Sequence, residues 1–398
     1  MKRITLLVCA LSLGLALPAA DFGLLLNTTA GYGSPGTQNP GPGFSGSLSP
    51  WFSAGISGKL YFYFSSKVSL SWQDGLWGLP PLVELERTEF NYRPLPAFYL
   101  SLGRIYFRDP AGLIAGGLFD GASATLGLGL VRLTAGLHYT GFLYKKTAAI
   151  ILGPEDAGNY DLPLDYGSLD TYFATRRILA SLTGELPDLS PRSSLAFSAL
   201  AQFDMNGAER VIHSQYLEAR YGLEAAEGLR LTLTGLGGLM EDTGRITGGL
   251  MALAAAEWEF PGSLRDMVMG EFFWGTGAGT LDPVRPVSGI TRGMVFRPTL
   301  PGLMDARLVY RVRLSTVLSA EAAGGLFWRT DLSTLQDDEL SPRSKSRFLG
   351  GEAYAQAIWA PQSVLRLNAG GGVFFPGRAF SFGTALRWKA DLGVLFSL

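Results

Sequence analysis

After residue 20, apolar and polar residues alternate with period two through one run after another, the pattern of a strand whose two faces meet different surroundings. Between 384 and 398, Thr384, Leu386, Trp388, Ala390, Leu392, Val394, Phe396 and Leu398 share one face, while Arg387, Lys389 and Asp391 lie on the other. In 305–314, Ala306, Leu308, Tyr310, Val312 and Leu314 oppose Asp305, Arg307, Arg311 and Arg313. In 130–140, Val131, Leu133, Ala135, Leu137 and Tyr139 oppose Arg132, Thr134 and His138, and in 250–260 Trp258 and four small or aliphatic residues oppose Glu257 and Glu259. Each run is about ten residues long, enough for a tilted strand to cross a bilayer.

The mean hydropathy is +0.19, yet no uninterrupted apolar run after residue 20 reaches the ~18 residues that a spanning helix needs. Only helices and closed barrels satisfy their backbone in lipid. The pattern therefore predicts an all-β chain, a transmembrane antiparallel β-barrel. A soluble β-sandwich or β-solenoid also alternates. The exported start, the repeated apolar faces and a final run that reaches Leu398 favour the membrane barrel.

Nineteen runs can be marked, near 22–32, 44–54, 56–73, 82–93, 95–108, 114–127, 130–143, 169–186, 194–205, 212–224, 229–240, 247–260, 265–275, 288–297, 304–315, 317–329, 346–359, 363–375 and 381–398. Bacterial single-chain barrels have even strand numbers. The expectation is eighteen strands, with one run spurious or one split, and sixteen as the next choice. Turn clusters such as Pro187-Asp188 and Glu227-Gly228 separate the runs, and longer polar stretches fall at 31–43, 144–168, 275–288 and 329–346. Short turns alternating with long loops match the two ends of such barrels.

The first twenty residues read as a signal peptide. Lys2 and Arg3 precede an apolar stretch from Ile4 to Leu17, and Pro18, Ala19 and Ala20 precede Asp21, as in a secretory leader. The expected organisation is a signal at 1–20 and one barrel domain at 21–398. Cys9 is the sole cysteine and falls in the leader; Val8 before it argues against a lipid-acceptor site. The exported part then has no disulfide and no thiolate metal site.

With 33 basic and 34 acidic residues, the chain lacks the basic excess of a nucleic-acid partner. Catalysis has little support. There are two histidines, His138 on a polar face and His213 beside a charged turn, and no nucleophile elbow of the Gly-x-Ser-x-Gly type. Gln336-Asp337-Asp338-Glu339 could hold calcium weakly, although a solvated loop explains it more simply. No cofactor and no metal site are expected.

The charges on polar faces are the candidates for a pore lining: Arg104, Arg132, Arg307, Arg311, Arg313, Arg366, Arg387, Glu257 and Glu352. Rings of charge along a passage set ion selectivity, and the cluster Arg307, Arg311, Arg313 suggests an anion preference. The alternative is that the charges pair across neighbouring strands and brace the wall.

Two segments resemble the alginate-export type of outer-membrane porin. One is Gly350-Gly351-Glu352-Ala353-Tyr354-Ala355-Gln356, leading through 365–375 to Pro376-Gly377. The other is Gly103-Arg104 followed by Asp120-Gly121. Together they cover about fifty residues, and the stretch 144–168 has no counterpart in that pattern. The resemblance implies an eighteen-stranded monomeric pore with an Arg-rich lumen. The functional expectation is a porin for passive diffusion of small hydrophilic or anionic solutes, in contact with outer-membrane lipid and inserted by the barrel-assembly machinery. The alternatives are a substrate-specific channel, for example for an acidic polysaccharide, a surface adhesin, or a barrel enzyme.

Overall fold

The computed structural model describes residues 20–37, 39–207, 210–262 and 264–398. Apart from Ala20, the expected signal segment lies outside the described residues. The strands are β1 (Ala20–Gly33), β2 (Gly41–Ser57), β3 (Leu60–Gln73), β4 (Leu76–Leu95), β5 (Phe98–Arg108), β6 (Gly116–Leu128), β7 (Val131–Tyr139), β8 (Arg177–Ser190) and β9 (Ser193–Asp204). They continue with β10 (Ile212–Ala226), β11 (Leu229–Asp242), β12 (Arg245–Glu259), β13 (Met267–Gly275), β14 (Leu303–Arg313), β15 (Leu318–Arg329), β16 (Phe348–Gln362), β17 (Leu365–Pro376) and β18 (Arg387–Ser397).

Each strand pairs antiparallel with the next, and β18 returns to β1 from Leu25↔Ser397 to Gly33↔Lys389. The result is one closed eighteen-stranded sheet. Closure removes the unpaired edges that an open sheet would present. No helix among the described residues is long and apolar enough to cross a membrane; the crossing is made by strands.

Alternation puts the apolar faces outward. Leu308, Leu326, Leu233, Leu217 and Leu182 are exposed on the outer surface. Aromatic residues gather at both ends of this belt. Tyr32 stacks on Trp388 at 5.2 Å near one end, and Phe62 packs against Phe52 and Phe90 at 6.3 and 4.7 Å near the other. Rings at these levels suit the interface between lipid and water.

Eight strand pairs are joined by short segments at one end of the barrel, such as 58–59, 129–130 and 227–228. The long connections 140–176, 276–302 and 330–347 all lie at the other end. The spurious run is 288–297. It lies in the 276–302 loop, with only isolated bridges at Ile150↔Ser288 and Thr291↔Thr299. Its Val295 and Phe296 are apolar because they pack inside the barrel, so burial, not strand pairing, wrote the pattern. The first part of the run 169–186 is likewise loop; β8 begins at Arg177.

One seam interrupts the wall. The β4–β5 ladder runs from Leu95↔Phe98 only as far as Thr88↔Arg104, although β4 continues to Leu76 beside β3. Gly103 sits at the parting point with φ +109°, and a side chain there would strike the Thr88 carbonyl. Beyond it, side chains satisfy the bare edge of β4. Val83 N–H donates to the Tyr166 hydroxyl, which donates to the Pro81 carbonyl; Tyr172 donates to the Val83 carbonyl, each at 2.9 Å. Arg104 donates to the Leu85 carbonyl at 2.5 Å. Burial raises the Tyr172 phenol above its ordinary value, with Glu84 adding to it, so the hydroxyl stays a donor.

Candidate functional site

Three long loops turn into the lumen and fill part of it. The 140–176 loop carries α1 (Lys145–Ala148) and α2 (Pro154–Asp161). Asp156 in the first turn of α2 accepts from the Leu152 and Gly153 N–H groups at 2.8 and 3.0 Å. Its carboxylate also meets Arg177 of β8 at 2.7 Å, and Arg177 lies 3.4 Å from Asp204 of β9. Both side chains of the Arg177–Asp156 pair are nearly fully buried. Two charges out of water need such mutual and multiple contacts to be tolerated.

The loops also hold one another. Gly289 N–H donates to the Ala149 carbonyl and Val287 N–H to the Ile114 carbonyl, at 2.8 and 2.7 Å. Arg285 donates to the Leu152 carbonyl at 3.0 Å. The Tyr216 hydroxyl donates to the Arg285 carbonyl from the wall at 2.5 Å. Asp109 accepts three backbone N–H groups, of Leu113, Ile114 and Ala115, and so folds the 109–115 connection.

A buried apolar cluster lies beneath these contacts. From the wall it takes Phe119, Leu179, Leu200, Tyr216, Leu236, Met251, Phe273, Leu303, Phe327, Leu349, Tyr354 and Phe374, and from the loops Ile150, Val287, Val295, Phe296 and Phe380, among others. Phe296 stacks on Phe374 at 4.4 Å. Among the described residues, this cluster draws no buried wall residue from β1–β4 or β18. The plug leans on one side of the barrel and leaves the β18–β1–β2–β3 wall open. A cavity of about 580 Å³ lies there, between that wall and the tip of the 276–302 loop.

The sequence-expected site residues fall into distinct places. Glu352 is buried and accepts from the backbone N–H groups of Met294, Val295 and Phe296 at 2.8, 3.0 and 3.2 Å, so it anchors the loop tip. Arg387 is buried and holds Asp337 and Glu339, each at 2.8 Å. The acidic stretch read as a weak calcium loop is thus engaged with an arginine. Arg307 lies 3.6 Å from Glu271, which also meets Arg292 at 3.3 Å. Burial works against the charge of Arg292, but Asp305 and Glu271 hold it above its ordinary value. Arg311 meets Glu321 at 2.5 Å. Arg313 donates to the carbonyls of Ser315 and Thr316 at the short-turn end.

Arg132 meets Glu185 at 3.2 Å, also near that end. Arg366 lies opposite Leu395, two residues past the 363–364 turn, and Glu257 opposite Arg230. Arg104 is placed differently from the rest. It shares its strand face with Leu102 and Tyr106, which are exposed on the outer surface, and its guanidinium fills the seam, bonded to Asp120 twice at 2.8 Å. His138 faces inward but is sealed under the plug, 4.7 Å from the Phe107 ring.

Sequence reasoning did not find Arg177, Arg292, Asp156 or the inner apolar belt, and it placed Asp305 on a polar face without a role. The belt has a faint signal. Tyr216 stands between Ser214 and Glu218 on a polar face, as Leu236 stands between Thr234 and Gly238. A single large apolar residue at the loop end of an otherwise polar face marks something packed inside.

A closed wall, an apolar outer belt with aromatic ends, and loops folded into the lumen beside an off-centre cavity define a transmembrane β-barrel. Solved structures share this architecture. Pseudomonas aeruginosa OccK5 (OpdH) aligns at TM-score 0.62 and 11% identity over 96% of this chain and 98% of its own. Acinetobacter baumannii OccAB1 aligns at 0.61 and 12%, over 96% and 97%, and Pseudomonas aeruginosa OccK11 (OpdR) at 0.58 and 14%, over 95% and 96%. No family model and no curated protein sequence matches the chain. These neighbours are Occ and Opd proteins, not alginate-export porins, and at such identities the likeness shows the barrel fold alone.

Proposed function

We propose that this chain is an outer-membrane channel for passive diffusion of small hydrophilic solutes. The observation that carries the reading is the asymmetric plug. It blocks the β6–β17 side with a packed core but leaves a polar-lined cleft against β1–β3 and β18. A structural barrel would gain from filling its lumen evenly. One that narrows the lumen to a cleft of ligand-pocket size controls what passes.

Export by a cleaved leader at 1–20, insertion by the barrel-assembly machinery and residence among outer-membrane lipids belong to the same reading. The long-loop end then faces outside, as in other such barrels. Much of loops 140–176 and 330–347 is engaged inward, through Arg177 and Arg387, which favours a channel over an adhesin. The test is conductance of the purified protein in a planar bilayer. Stepwise ion-conducting insertions are expected; a protein that inserts and conducts nothing would refute a channel.

A further inference from the structure

The cleft beside the plug has an unusual wall. In the β1–β2 register, Gly31↔Gly43 and Gly33↔Gly41 lie toward its top, where the Thr37 hydroxyl, the Gln73 amide and the Asp74 carboxylate occupy the space that side chains would take. A Cβ added at Gly41 would collide with the Asp74 carboxylate. Below the glycines come Thr29↔Ser45 and Asn27↔Ser47, and β3 continues the row with Ser71 and Ser69 opposite Ser45 and Ser47. These groups share the strand face of Lys389 and Asp391 on β18. Each hydroxyl is one donor and two acceptors on a free rotor.

Lys389, Lys67 and Arg387 beside this strip are engaged with opposite charges or with rings, while Arg297, which also lines the cavity, donates to the Thr291 hydroxyl at 3.2 Å. Lys389 lies 3.8 Å from Asp391 and 5.3 Å from the centre of the Tyr354 ring. Lys67, further along the β3 face, is held between Glu84 and Glu86 at 3.0 and 3.5 Å. Arg387 is held by Asp337 and Glu339. Further toward the short-turn end, the same inward face presents Trp51 and Tyr63, whose rings stack at 6.3 Å with 12° between planes. Such rings offer an apolar surface beside polar groups.

We infer that this cleft selects small uncharged polyhydroxylated solutes of monosaccharide size. The inference rests on the channel reading and names its substrate class. A neutral solute rich in hydroxyls exchanges its water for the Ser, Thr and Asn groups one for one. Its C–H faces can lie on Trp51 and Tyr63. An anion or a cation loses water at the same narrow place and meets charges that already have partners, so its desolvation is less well compensated. Pore width and the donors and acceptors along the wall then set the preference.

The experiment uses the full exported chain in liposomes, with potassium chloride conductance recorded on the same preparation. Swelling is measured with arabinose, glucose, gluconate and glucosamine. Arabinose and glucose should enter roughly fivefold faster than the two charged sugars. The double variant Ser45→Asp with Ser71→Asp should slow glucose and speed glucosamine. Conductance with equal entry of all four solutes, or faster entry of gluconate, overturns the substrate class and leaves the channel standing. Absence of both conductance and swelling overturns the two together.

Discussion

Arg104 of β5 and Asp120 of β6 bond twice at 2.8 Å where β5 parts from β4. The same guanidinium reaches the Leu85 carbonyl on the far side of the seam and the Phe142 carbonyl of the 140–176 loop. One side chain thereby ties two strands and a loop across a break in the wall. Arg104→Met should destabilise the barrel by about 3 kcal/mol, because it leaves Asp120 covered and unpaired. Urea unfolding in lipid vesicles measures this. Arg104→Met with Asp120→Leu should recover most of the loss. Wild-type stability in the single variant would mean that the loop seals the seam alone.

The tyrosines of the seam act on the β4 edge. Tyr166→Phe with Tyr172→Phe removes the acceptor for Val83 N–H and the donor to its carbonyl. Amide exchange at Val83 should rise by about tenfold, since protection follows local opening. An unchanged rate would show that packing, not these bonds, protects the edge.

Arg177 pins α2 to the wall. Arg177→Met leaves Asp156 and Asp204 buried beside each other without their cation. The α2 segment should leave its seat, and single-channel conductance should increase with frequent switching between levels. A stable open level identical to wild type would show that Arg285 and the apolar cluster hold the plug unaided.

Ion preference depends on pairing. Arg307 and Arg311 face Glu271 and Glu321, so the three-arginine cluster is largely compensated and selectivity near neutral is expected. Glu321→Gln leaves Arg311 without its carboxylate and should move the reversal potential in a salt gradient toward anions. Arg311→Ser should move it toward cations. Movement of both variants in one direction would exclude this pair as the determinant.

The two faces of β14 are open to chemical labelling, since Cys9 is the only cysteine of the chain. Tyr310→Cys should react with lipid-soluble reagents and Arg311→Cys with water-soluble ones. The reverse result would turn the barrel inside out.

The alternation of residues such as Leu308 and Tyr310 with Arg307 and Arg311 was enough to find the strands, their faces and the eighteen-strand wall. It was enough because the bilayer imposes one rule on every outward position, and a period-two strand writes that rule into adjacent residues. The run 288–297 broke the inference because an apolar segment packed inside a barrel looks locally like one facing lipid. The charges were legible as polar-face residues, but their partners were not. Glu352 meets residues 294–296, Arg387 meets Asp337 and Glu339, and Arg177 meets Asp156, all through loops whose path no local period records. Sequence sorts a strand's residues into two faces because that sorting depends on neighbours two residues away. Which arginine braces the wall, and which side of the lumen stays open, depends on where long loops land, and only tertiary packing decides that.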